Sequence, residues 1–241
     1  MASYTLGFDV GLKHDPSAAV LVERLVRFAA RADGRTHEAT LGVPAERPVE
    51  AVYRIQHVQE LKHTPSDAQI DWLERLMSNP EIRDDVMLAY DSTGVGGSFG
   101  DMVDVAHREG RLGRCYFPLG ASITGGDGRP DEGLGFFGGT VKKVDLVANL
   151  RALLEQKRIF APVGISGGEN LLKECRSFTA KPSATGLYTY ENATASIHDD
   201  LVVATMYACY FVNWHRLPRY LEPDGSVHEQ VATAYKGYRG H

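Results

Sequence analysis

Residues 4–11 read YTLGFDVG. Tyr4, Leu6, Phe8 and Val10 alternate with Thr5, Gly7, Asp9 and Gly11, and this period of two predicts a β-strand. Asp9 does not suit a plain strand. A carboxylate inside a core strand costs on the order of several kcal/mol unless it is paired or binds a cation. Two readings therefore stand together. Asp9 caps a strand end or pairs with Lys13, or it is one ligand of a site whose other members lie elsewhere in the chain.

The bounds are those of an ordinary globular protein. At 241 residues, with 43% hydrophobic and 24% charged residues, the chain suits one domain, or one domain plus a tail. No run approaches the roughly 18 apolar residues of a membrane span, so no membrane partner is expected. The opening MASYTLGFDVG lacks the layout of a signal peptide. Cys115, Cys175 and Cys209 form no CxxC pair, which argues against a zinc knot or a disulfide framework and fits a reducing cytoplasm. The net charge of -5 does not by itself recommend a nucleic-acid binder. An enzyme that gathers carboxylates around metal ions can nevertheless be acidic overall and carry a local basic stripe.

Outward from residue 11, Ala18 to Glu23 predicts a second strand, close enough to form an antiparallel hairpin with the first. Residues 25–48 suggest a strand continuation and then a loop, and Val49 to Leu61 a third strand. Thr64-Pro65-Ser66-Asp67 is a helix start, with the helix running to about Asn79. Val86 to Tyr90, VMLAY, is a continuous apolar run of the kind found in strands buried on both faces, and it ends at Asp91. Ser98 to Arg108 reads as a helix and Cys115 to Leu119 as a short strand. Residues 120–140 are rich in glycine and read either as a surface loop or as a hairpin insertion reaching over a site. Helices are expected over Val141 to Ile159, Gly168 to Phe178 and Ser196 to Trp214, with a strand from Thr185 to Tyr190. The expected organisation is one domain over 1–216 and a polar tail over 217–241. The order of elements predicts an α/β domain with one central mixed sheet flanked by helices.

In this order Asp9 gains possible partners. Asp91 ends the buried strand, and Asp199 and Asp200 open the last helix, in SIHDDLVVA. If the first and fourth strands are parallel neighbours, Asp9 and Asp91 meet beyond their carboxyl ends, where sites in open α/β sheets form. Converging carboxylates repel and raise one another's pKa unless a divalent cation joins them. Each has a plain alternative. Asp91-Ser92-Thr93-Gly94 suits a strand-to-helix turn. Asp199 stands three residues after Ser196, a capping-box spacing, and acidic residues in a first turn also suit the helix dipole. On that ground one of the pair is structural, with Asp200 the favoured ligand. His198 stands beside them as a supporting group or as a simply exposed histidine. Asp15 reads as a turn former.

The stretches GFDVGLKHDPSAAVLVE at 7–23, LAYDSTGVGGSFGDMV at 88–103 and SIHDDLVVATMYA at 196–208 resemble the nuclease domain of tailed-bacteriophage large terminase subunits. VKKVDLVANLRALLEQKRI at 141–159 and ENLLKECRSF at 169–178 resemble it too, so the resemblance spans about 10 to 215. It implies an RNase H-like fold and a two-metal endonuclease, with Mg²⁺ or Mn²⁺ held by Asp9, Asp91, Asp199 and Asp200. The implied substrate is concatemeric double-stranded DNA in the cytoplasm of an infected bacterial host. A packaging ATPase domain, the small terminase subunit and the portal are the implied partners. No GxxxxGK[ST] motif is present, so any motor activity lies elsewhere.

DNA binding needs cations at the phosphates. Lys142 and Lys143, directly after the glycine-rich stretch, are the favoured contacts, whereas Lys173, Arg176 and Lys181 read as solvated helix charges. Three alternatives fit the same residues. FDVG and DSTGVGG also suit the phosphate turns of an actin-like or sugar-kinase-type ATP-binding domain. A Holliday-junction resolvase shares the fold class. A non-catalytic DNA-docking module needs no metal.

Overall fold

The computed structural model describes residues 4–11, 15–28, 49–82, 85–94, 96–113, 115, 118–124, 139–182, 188–194, 196–212, 219–221 and 227–229. In chain order these form β1 (Tyr4–Asp9), β2 (Ser17–Phe28), β3 (Val49–Leu61), α1 (Ser66–Met77), β4 (Val86–Asp91), α2 (Gly96–Arg108), β5 (Leu119–Thr124) and β6 (Gly139–Lys142). They continue with α3 (Lys143–Glu155), β7 (Ile159–Phe160), α4 (Gly168–Ser177), β8 (Phe178–Pro182), β9 (Tyr188–Asn192), α5 (Asp200–Phe211), β10 (Arg219–Leu221) and β11 (Val227–Glu229).

One mixed sheet carries the fold. β1, β2 and β3 are antiparallel neighbours, and β1, β4, β5 and β6 run parallel in that order. β7 joins the far side of β3. The segment 217–241 contributes two strands: β10 lies parallel to the end of β2, and β11 pairs with β10. β8 and β9 form a separate hairpin.

Alternation in β1 sorts its side chains onto two faces. Tyr4, Leu6 and Phe8 join Leu88, Tyr90, Leu73 and Phe99 in the core under α1 and α2. Phe8 stacks on Phe99 with ring centroids 5.3 Å apart. Thr5, Gly7 and Asp9 point to the other face. There Ala18, Val20, Met87 and Ala89 pack against α3, α4 and α5. α5 is apolar on every side and almost wholly buried, as expected of a helix inside a three-layer core. Among the described residues no helix is long and apolar enough to cross a membrane.

Several boundaries differ from those predicted. The long helix over 141–159 is shortened at both ends, because Gly139–Lys142 pairs with β5 and Ile159–Phe160 pairs with β3. The strand expected at Cys115 to Leu119 begins only at Leu119 and runs into the glycine-rich stretch. Gly120 belongs there because the Tyr90 side chain fills its place: a Cβ on Gly120 would stand 2.7 Å from the Tyr90 hydroxyl. The flanks of that stretch, β5 and β6, are parallel, so they are not the two arms of one hairpin. The rest of the expected insertion, 125–138, lies outside the described residues.

Gly7 sets the spacing between sheet and helix. A Cβ built on it would lie 1.9 Å from the Ala204 carbonyl oxygen and 2.7 Å from the Ala208 nitrogen, both backbone atoms of α5. Elsewhere in a strand, glycine to alanine is neutral or stabilising by about 0.5–1 kcal/mol. Gly7→Ala is expected to do the opposite, losing at least about 1–3 kcal/mol through overpacking. Urea unfolding of the two proteins reads the sign directly.

Candidate functional site

The carboxyl ends of β1 and β4 lie side by side. Phe8 is opposite Tyr90 in the parallel register, so Asp9 and Asp91 come next on the two strands, both on the α5 face. α5 reaches the same point from above. It packs on Gly7 through Ala204 and Ala208. Asp200 lies one helical turn before Ala204, about 6 Å along the axis. Asp9 lies two residues beyond Gly7, also about 6–7 Å. The two carboxylates therefore arrive at one level from different elements.

Their electrostatics report the meeting. Asp9 is held well above the usual carboxylate range, first by burial and then by the like charges of Asp200, Asp91 and Asp199, with Lys143 opposing. Asp200 is pushed up to about 6, first by burial, with His198 opposing and Asp199, Asp15 and Glu60 adding to the rise. Asp200 Oδ2 is buried and has no hydrogen-bond partner among the described residues. His198 Nδ1 stands 3.7 Å from it.

The other predicted residues take definite places. Asp91 Oδ1 accepts a hydrogen bond from the Thr93 N–H at 2.7 Å, so the turn reading is correct for one oxygen without removing the carboxylate from the site. Lys143 opens α3 and places Nζ 3.4 Å from Asp199 Oδ2 and 5.8 Å from the centre of the Phe178 ring. Lys142 ends β6 and is half-buried. Asp15 is exposed in the turn before β2. Lys13, the alternative partner of Asp9, lies outside the described residues.

The capping box does not form. Ile197 closes a turn on Thr194 (N–H to O, 3.0 Å), and α5 starts four residues after Ser196. Asp199 occupies the N-cap position without a side-chain cap bond. The cap comes instead from Glu174 of α4, whose Oε2 accepts the N–H groups of Leu201 at 2.9 Å and Val202 at 3.2 Å. Neither aspartate of the pair is spent on the helix end. Burial pushes the Glu174 carboxyl up to about 8, with the nearby Asp200 charge adding to the rise and the two backbone bonds opposing it.

Sequence reasoning missed Glu174, and only its position in ENLLKECRSF, midway along an amphipathic helix, could have marked it. It also missed Tyr207, read simply as part of an apolar helix. The Tyr207 hydroxyl donates to the Ala121 carbonyl at 2.6 Å. Burial, first, and the nearby Asp91 and Asp9 charges hold its phenol far above the usual range.

The donor set is all oxygen and all acidic, which suits a hard divalent cation that keeps several waters. The orphaned Asp200 oxygen and the mutual repulsion at Asp9 fit such an ion. Among the described residues no three His, Cys, Asp or Glu side chains stand close enough together to hold one ion as they are placed. The arrangement is an open collar of carboxylates.

No known family model and no curated protein matches the sequence. Solved structures do match. The large terminase nuclease from thermophilic phage G20c with bound magnesium aligns at a TM-score of 0.55 and 18% identity, covering 86% of this chain and 80% of that one. The Thermus phage P74-26 large terminase nuclease domain aligns at 0.50 and 16%, covering 85% and 77%. The large terminase of another thermophilic bacteriophage aligns at 0.50 and 13%, covering 88% of this chain and 39% of that one. The chain shares the RNase H-like fold of these domains.

Two measurements check the site's energetics in metal-free protein. Glu174→Ala leaves two helix N–H groups without their acceptor and is expected to cost on the order of 1–3 kcal/mol, whereas Glu174→Gln keeps an acceptor and costs less. Asp200 has a folded pKa of about 6 against an ordinary value of 3.8. The folded chain therefore holds more protons than the unfolded chain across that window, and its stability falls as pH rises through it. Asp200→Asn is expected to flatten this slope and raise the melting temperature near pH 7, as differential scanning calorimetry across pH would show.

Proposed function

We propose that this chain is a metal-dependent endonuclease that cuts double-stranded DNA with little sequence specificity by a two-metal mechanism. Its setting would be the nuclease domain of a phage large terminase, cutting concatemeric DNA during packaging in the cytoplasm of the infected bacterium. The observation that carries this reading is the mutual repulsion of Asp9 with Asp91, Asp199 and Asp200, with Asp200 Oδ2 buried and without a hydrogen-bond partner among the described residues. The shared fold supports it, and the phage G20c nuclease of that fold was solved with bound magnesium.

Asp9, Asp91 and Asp200 would hold two Mg²⁺ or Mn²⁺ ions, with Asp199 as a fourth donor. Ions in that position supply an activated water and stabilise the leaving oxygen of a phosphodiester. The chain's own residues set the geometry. The Thr93 N–H orients the Asp91 carboxylate. Glu174 holds the first turn of α5 and so fixes Asp199 and Asp200. Lys143, beside Asp199, would contact a phosphate oxygen of the substrate. Lys142, the residue before it, would contact the DNA backbone. His198 is exposed at the mouth of the site and balances charge at Asp200. The reading extends the nuclease unit past 216 to take in β10 and β11 of the same sheet, and gives it an ATPase domain, the small terminase subunit and the portal as partners.

Plasmid cleavage tests the reading. Wild-type protein with Mg²⁺ or Mn²⁺ is expected to linearise and then degrade plasmid DNA, and a chelator to stop it. Asp9→Asn, Asp91→Asn and Asp200→Asn are each expected to lose at least about a hundredfold in rate with the fold intact by circular dichroism. Equal cleavage by chelated protein would sink the metal mechanism. A strong preference for four-way junctions over linear duplex would select the resolvase alternative.

A further inference from the structure

A groove of about 540 Å³ runs along one flank of α4, between that helix and Ile197 in the segment leading to α5. Glu169, Leu172, Lys173, Arg176, Ser177 and Ile197 line it. Lys173 and Arg176 are one turn apart and both exposed. Neither makes an ion pair among the described residues, and the same holds for Arg75, Arg108, Lys142 and Lys157; what sets Lys173 and Arg176 apart is that they share one groove. Glu169 precedes Lys173 by four residues, a spacing at which helical ion pairs form, yet it pairs with neither cation. In a chain of net charge -5, two cations without an ion pair among the described residues, facing one groove beside a carboxylate site, call for an anionic occupant.

We propose that this groove is a phosphate subsite for the DNA strand being cut, with Lys173 and Arg176 contacting the backbone one to three nucleotides from the scissile phosphate. The proposal rests on the nuclease reading above and adds to it the path of the strand. Ile197 stands two residues before Asp199, which limits their Cα separation to about 7 Å. One strand of duplex advances about 3.4 Å per nucleotide along the axis, so neighbouring phosphates reach both places.

The groove and the carboxylates are also tied together. The Ser177 hydroxyl, in the groove wall, donates to Asn192 Oδ1 at 2.5 Å. The Asn192 amide donates in turn to the His198 carbonyl, next to Asp199. From the same helix, Glu174 bonds the first turn of α5. The cations are thereby held at a fixed offset from Asp200. The planar fork of Arg176 suits two phosphate oxygens and Lys173 supplies a point charge. Leu172 and Ile197 offer apolar contact to deoxyribose. None of these groups reads a base edge, in keeping with cleavage of little sequence specificity.

Fluorescence anisotropy with a labelled 30-base-pair duplex in chelator measures binding without cleavage. Lys173→Glu/Arg176→Glu is expected to weaken binding at least tenfold and to reduce the slope of log affinity against log salt by about 2. The control Arg75→Glu/Arg108→Glu makes the same change in net charge under the opposite face of the sheet, and is expected to weaken binding far less. Lys173→Gln/Arg176→Gln should fall between wild type and the reversal, which separates lost contacts from new repulsion. Melting temperatures within a few degrees of wild type show that the fold is kept, and if the reversal unfolds the chain the Gln pair decides alone. If the α4 variants match the control while wild type binds DNA, the strand does not cross α4 and the proposal fails by itself. If wild type shows no salt-dependent affinity for DNA, the nuclease reading fails and the groove falls with it.

Discussion

The backbone contact between Gly7 and α5 governs where every carboxylate of the site can stand. A helix lying on a sheet is normally held off by the side chains between them. Here the Ala204 carbonyl occupies the space that a Cβ at position 7 would take. Alanines at 204 and 208 keep the helix side of the contact equally thin. At this distance, the start of α5 and the ends of β1 and β4 reach one point. With a larger residue at position 7, Asp200 would be lifted away from Asp9, although the topology would be unchanged.

Bringing carboxylates so close opposes folding, and the fold tolerates it by assigning other tasks elsewhere. An aspartate at a helix start ordinarily satisfies a free N–H there. Glu174 takes that duty from a different helix, which leaves Asp199 to Lys143 and Asp200 Oδ2 without a partner. The buried, apolar α5 anchors the arrangement: Leu201, Val202 and Val203 follow Asp200 directly into the core. The electrostatic cost is thereby confined to a few side-chain oxygens and not spread through the backbone.

Much of this was legible in the sequence, and the exceptions have physical causes. Period-two alternation marked β1 and β3, and the apolar run VMLAY marked β4, because burial on one or both faces writes directly into those stretches. The adjacency of β1 and β4, and with it the meeting of Asp9 and Asp91, required only that the strands be parallel. β6 and β7 escaped notice because they sit at the two ends of a strong helical pattern, where pairing with β5 and β3 overrides propensity. Gly120 read as loop because its strand position is justified by Tyr90, a residue far away in sequence. The Ser196 cap was wrong for a similar reason. Local spacing proposes a cap from the same segment, and nothing local reveals that an acceptor from α4 has displaced it.

α4 shows how one short helix can serve two parts of the same chemistry. Successive residues turn by about 100°. Glu174 faces inward to α5, while Lys173, Arg176 and Ser177 fall on the adjoining flank that lines the groove. The sequence ENLLKECRSF thus holds an acid where charge is buried and two bases where it is exposed, and charge counting along the segment sees only a balanced helix. What distinguishes the two roles is burial: Glu174 is 5% exposed, and its carboxyl is shared between two backbone donors. A helix fixed in this way resists being pulled by a bound phosphate backbone, because displacement would break the cap of the helix that carries Asp199 and Asp200. On the proposed path of the strand, substrate grip and carboxylate placement would be coupled through α4.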